Sequence, residues 1–274
     1  DIETEMEAYL DYNPNVFRGK TVLLPCDDPE WSNFTKYFAQ NFEDLGLKKL
    51  ISTSYAINSK VIKAGIQTSF LETTSSKFDK SKTNTHGKIF VLEKDTTGDG
   101  KINLEDLEWD YLEGDGDFRS EEVKKLRDEA DIIVTNPPFS LFREFLAWIV
   151  EADKQFIILG NINCITYKEV FPLFKYNKMW LGVTNFNRGM FFRVPDDFEY
   201  APTYKFDKEI NGIKVNRVSG ICWYTNIEHG RRHHPLNLLT KEDNIKYSKH
   251  KEINGIGYMP YDNYNAIEVN YFDA

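Results

Sequence analysis

Short apolar runs alternate with amphipathic stretches along most of this chain, and that alternation restricts the fold more than any other feature of the sequence. An apolar run of about four to eight residues suits a buried strand, whereas apolar residues recurring every three to four positions bury one face of a helix. Strand, helix and strand in succession give an α/β sheet covered by helices on both faces. Lys20–Leu24, Leu47–Ser54, Lys88–Glu93, Asp131–Thr135 and Gln155–Gly160 read as strands, with Gly189–Arg193 and Ser219–Tyr224 as later ones. Trp31–Leu45 reads as a helix with Phe34, Tyr37, Phe38, Phe42 and Leu45 on one face. Glu121–Ala130, Leu141 to about Ala152 with Ser140 as its cap, and Tyr167–Tyr176 read as further helices. Between Asn58 and Gly87 the sequence turns polar and loses its period, which marks a surface insertion.

Composition removes several classes of function. The 274 residues, 41% of them hydrophobic, suffice for one large or two modest domains with a buried core. Cys26, Cys164 and Cys222 are too few and too widely spaced for a disulfide framework or a cysteine-built zinc site, and they suit a reducing compartment. No apolar run approaches the roughly 18 residues of a membrane span, and the opening segment lacks the basic and apolar regions of a signal peptide. A cytoplasmic protein without a membrane partner is therefore expected. Acidic residues outnumber basic ones, 43 to 34, which argues against a uniformly basic coat and leaves room for a local basic groove.

The stretch Asp131-Ile-Ile-Val-Thr135-Asn136-Pro137-Pro138-Phe139-Ser140 carries the most chemistry. A buried strand stops in a turn that two prolines make rigid, since each fixes φ and withholds a backbone N–H. The Asn136 amide and the turn carbonyls are left as hydrogen-bond acceptors at a strand's carboxyl end, where open α/β sheets hold ligands. A planar amine fits there, its protons accepted by Asn136 and a carbonyl and its ring stacked on Phe139. The plainer reading is a stiff connector between strand and helix.

Asn136-Pro137-Pro138-Phe139 resembles the (Asn/Asp)-Pro-Pro-(Tyr/Phe) motif of class I S-adenosylmethionine-dependent amino methyltransferases. Leu24-Pro25-Cys26-Asp27-Asp28-Pro29 with Ser32-Asn-Phe34, Gly114 to Ser120, Asn136 to Arg143, Ile165 to Glu169 and Ile221 to Thr225 together resemble the EcoRI-type DNA adenine methyltransferases, a likeness running from about Asp1 to Glu268. The resemblance implies a Rossmann-like, mostly parallel sheet. Residues 1–184 would form the cofactor-binding and catalytic core, with the polar insertion at about 56–87; residues 185–274 would supply the remaining strands and a C-terminal target-recognition region. It implies S-adenosylmethionine as cofactor, double-stranded DNA as partner and a flipped-out adenine as acceptor. Pro25, Cys26, Asp27 and Asp28 would lie at the methionine end of the cofactor, where an acid pairs with its ammonium. Asp117 would accept from the cofactor's adenine amine while the Phe118 backbone donates to the ring, with Asp115 as the alternative acceptor. Asn136, Pro137, Pro138 and Phe139 would be catalytic.

Two features depart from the pattern: the first-strand loop has no Gly-x-Gly, and the second strand ends Ser52-Thr-Ser-Tyr55 without the acid that grips ribose hydroxyls. The resemblance also leads us to expect family segments before Asp1 and after Ala274. A monomer is expected.

Two other signals compete for attention. Asp95 to Asp106 superficially fits a calcium loop, but Thr97 and the short Asp106 replace stronger ligands, so no metal site is expected. Arg231-Arg232-His233-His234 is the densest local basic patch and could touch phosphates or guanines, with Arg188 as a further DNA contact; a solvated turn is the alternative. Phe186, Phe191 and Phe192 beside Arg188 and Arg193 read first as core and second as groove lining. The rival functions are methylation of RNA adenine or protein glutamine on the same fold, and a non-catalytic DNA-binding module.

Overall fold

The computed structural model describes residues 2–28, 32–56, 77–184 and 189–235. Its strands are β1 (Thr21–Leu24), β2 (Lys49–Ser54), β3 (Lys88–Leu92), β4 (Glu108–Tyr111), β5 (Ile132–Thr135), β6 (Gln155–Asn161), β7 (Trp180–Leu181), β8 (Met190–Arg193), β9 (Glu209–Ile210), β10 (Ile213–Val218) and β11 (Ile221–Thr225). Eight of them form one sheet in the order β4-β3-β2-β1-β5-β6-β11-β7, and β8-β10-β9 form a small antiparallel sheet. β2, β1, β5 and β6 pair in parallel. The flanking pairs are antiparallel, so β3 and β11 run against the other strands of the large sheet. The chain divides into two compact units, 1–232 and 233–274, and the strands of the described residues belong to the first.

Neighbouring residues along a strand face opposite sides, so a strand buried on both faces feeds two cores. Val22 and Leu24 of β1, Ile132 and Val134 of β5, Ile157 and Leu159 of β6, and Ile221 and Trp223 of β11 enter one core. Leu23, Ile133, Phe156, Ile158, Cys222 and Tyr224 enter the other. Helices α1 (Ile2–Tyr12), α2 (Asn33–Gln40) and α3 (Phe42–Leu45) supply the first core, and α4 (Glu121–Glu129) and α5 (Phe142–Glu151) the second. A short helix, α6 (Phe171–Lys175), packs partly buried Leu173 and Phe174 against the second core.

Several helix boundaries differ from the sequence reading for identifiable reasons. The helix expected over Trp31–Leu45 is two helices, because Asn41 leaves helical geometry and its side-chain Nδ2 donates to the Tyr37 carbonyl at 2.8 Å. Ser140 caps nothing: Phe139–Leu141 form a 3-10 turn closed by Leu141 N–H to the Pro138 carbonyl at 2.9 Å, and α5 starts at Phe142 without a side-chain cap. The expected Tyr167–Tyr176 helix shrinks to α6, since Pro172 is tolerated only in a first turn. β4 lacks a sequence signal because its four residues, Glu-Trp-Asp-Tyr, make an edge strand without a buried side chain. Most of the insertion expected at about 56–87 lies outside the described residues.

The chain leaves β1 toward β2 on one side of the sheet and later places β5 on the other side of β1. Beyond the carboxyl ends of β1 and β5 the connections diverge, and a crevice opens.

Candidate active site

The loop after β1 is pinned by side chains in place of glycines. Asp27 N–H donates to the Thr53 carbonyl at 3.0 Å, and Thr53 Oγ1 donates to the Pro25 carbonyl at 3.0 Å. The Asp27 carbonyl accepts from Thr35 Oγ1 at 3.1 Å and from Ser52 Oγ. The strand end that lacks a ribose-binding acid therefore uses Ser52 and Thr53 to fix the loop that lacks Gly-x-Gly. Pro25 is buried, and Cys26 and Asp28 are partly exposed.

Asp27 is the junction of the site. The residue is 4% exposed; its Oδ1 accepts from Ser32 Oγ at 2.7 Å and Oδ2 from Thr135 Oγ1 at 2.5 Å. Ser32 caps α2 through Phe34 N–H and Thr35 N–H, so one hydroxyl serves both helix and carboxylate. Burial pushes the Asp27 carboxyl up to about 6, against the lowering pull of hydrogen bonds from Thr135, Ser32 and the Asn136 backbone, while the Asp28 charge adds to the rise. One side chain thus ties the β1 loop and the start of α2 to the last residue of β5 and the first of the proline turn.

In that turn Pro137 is buried, Asn136 and Pro138 are exposed, and Phe139 is 40% exposed. An aromatic left that open beside an exposed amide is available for stacking. A cavity of about 610 Å³ joins Asn136 to Asp27, Phe34, the strand segment Met190–Arg193 and Trp223. Phe191 and Phe192 are half-buried in its wall, and Phe192 also packs against the first core. Ile2 and Glu3 of α1 complete it. The Trp223 indole N–H is buried without a partner among the described residues.

The second candidate loop docks on the end of β2. Ala56 N–H donates to the Asp115 carbonyl at 2.8 Å, and Gly87 N–H to the Gly114 carbonyl at 2.9 Å. Gly116, at φ +84°, passes so close to β2 that a Cβ there would lie 2.4 Å from the Ser54 carbonyl oxygen. Asp115 Oδ1 accepts from Asp117 N–H at 3.0 Å. Asp117 holds Arg119 through Nε at 2.9 Å and Nη2 at 2.6 Å, which keeps its carboxyl below the usual range, and Arg119 reaches on to Glu144 of α5. The Phe118 ring is core, packed edge-on against Phe145 and Trp148.

The basic patch is differently disposed. Arg231 donates to the Val183 carbonyl; Arg232 contacts Glu228 and Asn177 and lies 3.7 Å above the Trp180 ring. Both guanidiniums thus have partners within the protein, with Arg231 exposed and Arg232 half-buried. His233 is exposed, and Arg188 and Phe186 lie outside the described residues. In the Asp95–Asp106 loop the carboxylates accept from the loop's own amides, Asp95 from Gly98 and Gly100 and Asp106 from Thr96, Thr97 and Asn103. Ile2 and Glu3 line the cavity without a motif signal of their own, while Ser32, Thr135 and Trp223 lie in motif stretches that do not single out their side chains as site residues.

The family profile described as adenine-specific methyltransferase EcoRI matches residues 1–273. The chain belongs to that family. Among curated relatives, it is 41% identical to the type II methyltransferase M.EcoRI of Escherichia coli over 98% of its own length and 73% of the relative's. It is 34% identical to M.MpnI of Mycoplasma pneumoniae over 98% and 69% of the two lengths, and 33% identical to M.MgeORF184P of Mycoplasma genitalium over 98% and 70%. No solved structure matches the chain at significance. Family membership makes it an adenine-specific methyltransferase.

Proposed function

We propose that the chain methylates the exocyclic amine of an adenine extruded from double-stranded DNA, with S-adenosylmethionine as donor. The observation that carries this reading is the cavity joining Asn136 of the proline turn to the loop after β1. S-adenosylmethionine, when bound, supplies an electrophilic methyl group on a positively charged sulfur. The residues present suit such a cation: Asp27 lines the cavity and is ionised above about pH 6, with Asp28 beside it. Pro25, whose carbonyl accepts from Thr53 Oγ1, and Cys26 lie in the same loop and would border the methionine end. Asp115, Asp117 and Phe118 lie on the glycine-rich loop docked at β2 and would meet the adenine end. There the Asp117 carboxylate also holds Arg119, so the partly buried Asp115 shares the acceptor role.

The amine of adenine is conjugated with its ring and is a poor nucleophile. Acceptors at the Asn136 side chain and the Pro137 carbonyl draw its protons, turn it toward tetrahedral geometry and stabilise positive charge as it develops. Pro138 keeps the turn rigid, and Phe139 stacks on the base that has left the duplex. Asp27 acts at one remove: by holding Thr135 and the Asn136 backbone, it positions the acceptor.

An acceptor panel tests the assignment. The chain is incubated with methyl-labelled S-adenosylmethionine and, separately, unmethylated duplex DNA, RNA and a glutamine peptide. Label in adenine of DNA alone is expected; label in RNA or peptide, with DNA blank, would overturn it.

A further inference from the structure

We infer that Glu5 is a positioning residue for methyl transfer: buried in α1, its carboxylate ties the helix that lines one part of the active-site cavity to the backbone segment beside Trp223, which lines another. This rests on the functional reading above for the identity of the reaction, although the link itself is geometric. Glu5 is fully buried, which is rare for an unpaired acid and requires a set of hydrogen-bond donors in compensation. Here the donors are complete. Tyr9 Oη donates to Oε1 at 2.8 Å; Val183 N–H reaches Oε1 at 3.0 Å and Oε2 at 3.1 Å; Thr184 donates to Oε2 through its backbone at 3.0 Å and its hydroxyl at 2.8 Å.

The carboxylate also occupies space that only glycine leaves free, since a Cβ at Gly182 would lie 1.9 Å from Oε1. Gly182 N–H in turn donates to the Trp223 carbonyl at 3.0 Å, and Trp223 lines the cavity. A helix thus inserts an acid into the backbone just after β7, over 178 residues of sequence separation.

Both ends of this link lead to the reaction. α1 supplies Ile2 and Glu3 to the cavity lining, Trp223, bound by Gly182, supplies a further part, and the strand segment Met190–Arg193, which comes after Thr184 in the sequence, supplies another. Preorganised spacing between such walls governs rate, because displacement of the reacting groups by about 1 Å can cost on the order of 100-fold. Glu5 touches neither reactant; it acts through the walls it joins.

Glu5→Gln keeps the shape of the side chain and puts an NH₂ where backbone N–H groups require an acceptor. Thr184→Val is the milder variant, removing one donor. Single-turnover methyl transfer on pre-bound DNA, affinity for S-adenosylmethionine and for DNA, and amide hydrogen exchange are measured on all three chains. For Glu5→Gln the rate is expected to fall at least about tenfold with both affinities within about threefold, and a smaller fall is expected for Thr184→Val. Exchange protection is expected to drop at Val183 and Thr184 and also at Met190–Arg193. Protection lost at Val183 and Thr184 alone, with the rate within twofold of wild type, would reduce Glu5 to a local structural role and overturn the inference. A wild-type chain without methyl transfer would sink the functional reading instead, and the exchange pattern at Met190–Arg193 would still decide the link.

Discussion

Replacing Asp27 by Asn separates the two roles the structure gives this side chain, because it removes the charge and keeps the shape. Moving a carboxyl from its ordinary 3.8 to about 6 corresponds to roughly 3 kcal/mol between the two protonation states. The folded value lies above the unfolded one, so the folded chain holds the extra proton between about pH 4 and pH 6. Stability contributed by Asp27 therefore falls as pH rises through that window and levels off above it. Asp27→Asn abolishes this contribution. At neutral pH the variant gains relief from a buried charge and loses one of its two acceptor oxygens, which serve Ser32 and Thr135 separately, a loss worth about 1–2 kcal/mol per hydrogen bond. The two effects nearly cancel, and net stability is expected to stay within about 2 kcal/mol of wild type. Catalysis does not share the cancellation, since the Asn136 turn loses its anchor: turnover is expected to fall roughly 10- to 100-fold, and wild-type activity to rise with pH through about 6. The assay is urea unfolding followed by tryptophan fluorescence at several pH values for both chains. Parallel stability curves across the window would refute the reasoning, because they would mean that Asp27 titrates as an ordinary surface acid.

Three further substitutions probe separate parts of the account. Phe139→Ala removes a 40% exposed ring, so melting should barely move while methylation falls about 10- to 100-fold, the worth of one base stack; unchanged turnover would remove Phe139 from the site. Gly116→Ala forces a Cβ against the Ser54 carbonyl at positive φ and should cost roughly 2–4 kcal/mol, together with weaker S-adenosylmethionine binding by calorimetry; a neutral effect would mean that the loop yields easily. Arg232→Ala leaves Trp180, Glu228 and Asn177 without their shared cation, so a lower melting temperature with an unchanged salt slope of DNA binding is expected, and a flattened slope would return Arg232 to the DNA interface.

The central strands were legible because each is a short apolar run, and the parity of its residues already divides them between two cores, as Val22, Leu23 and Leu24 show, whereas the edge strand β4, the short strands β7 and β9, and β10 carry no such run. The proline turn was legible because its chemistry is local, held in four consecutive residues. Helix ends were less so: the side chain of Asn41 competes with its own helix, and Pro172 delays one. What could not be read was the long-range wiring. Thr135 meets Asp27 across 108 residues and Glu5 meets Val183 across 178, and no periodicity or motif announces either pair. The arginines at 231 and 232 illustrate the converse, a local charge pattern whose partners, Val183, Glu228 and Asn177, are set by the fold.

The central claim is that Asn136 activates an adenine amine in DNA for transfer from S-adenosylmethionine. Its most direct test is mass-spectrometric quantification of N6-methyladenine formed in unmethylated duplex DNA by the wild-type chain and by Asn136→Ala, with cofactor binding measured in parallel. The account predicts a rate lowered by roughly 10²–10³ in the variant and cofactor affinity within a few-fold. Equal rates in the two chains, with cofactor bound in both, would contradict it.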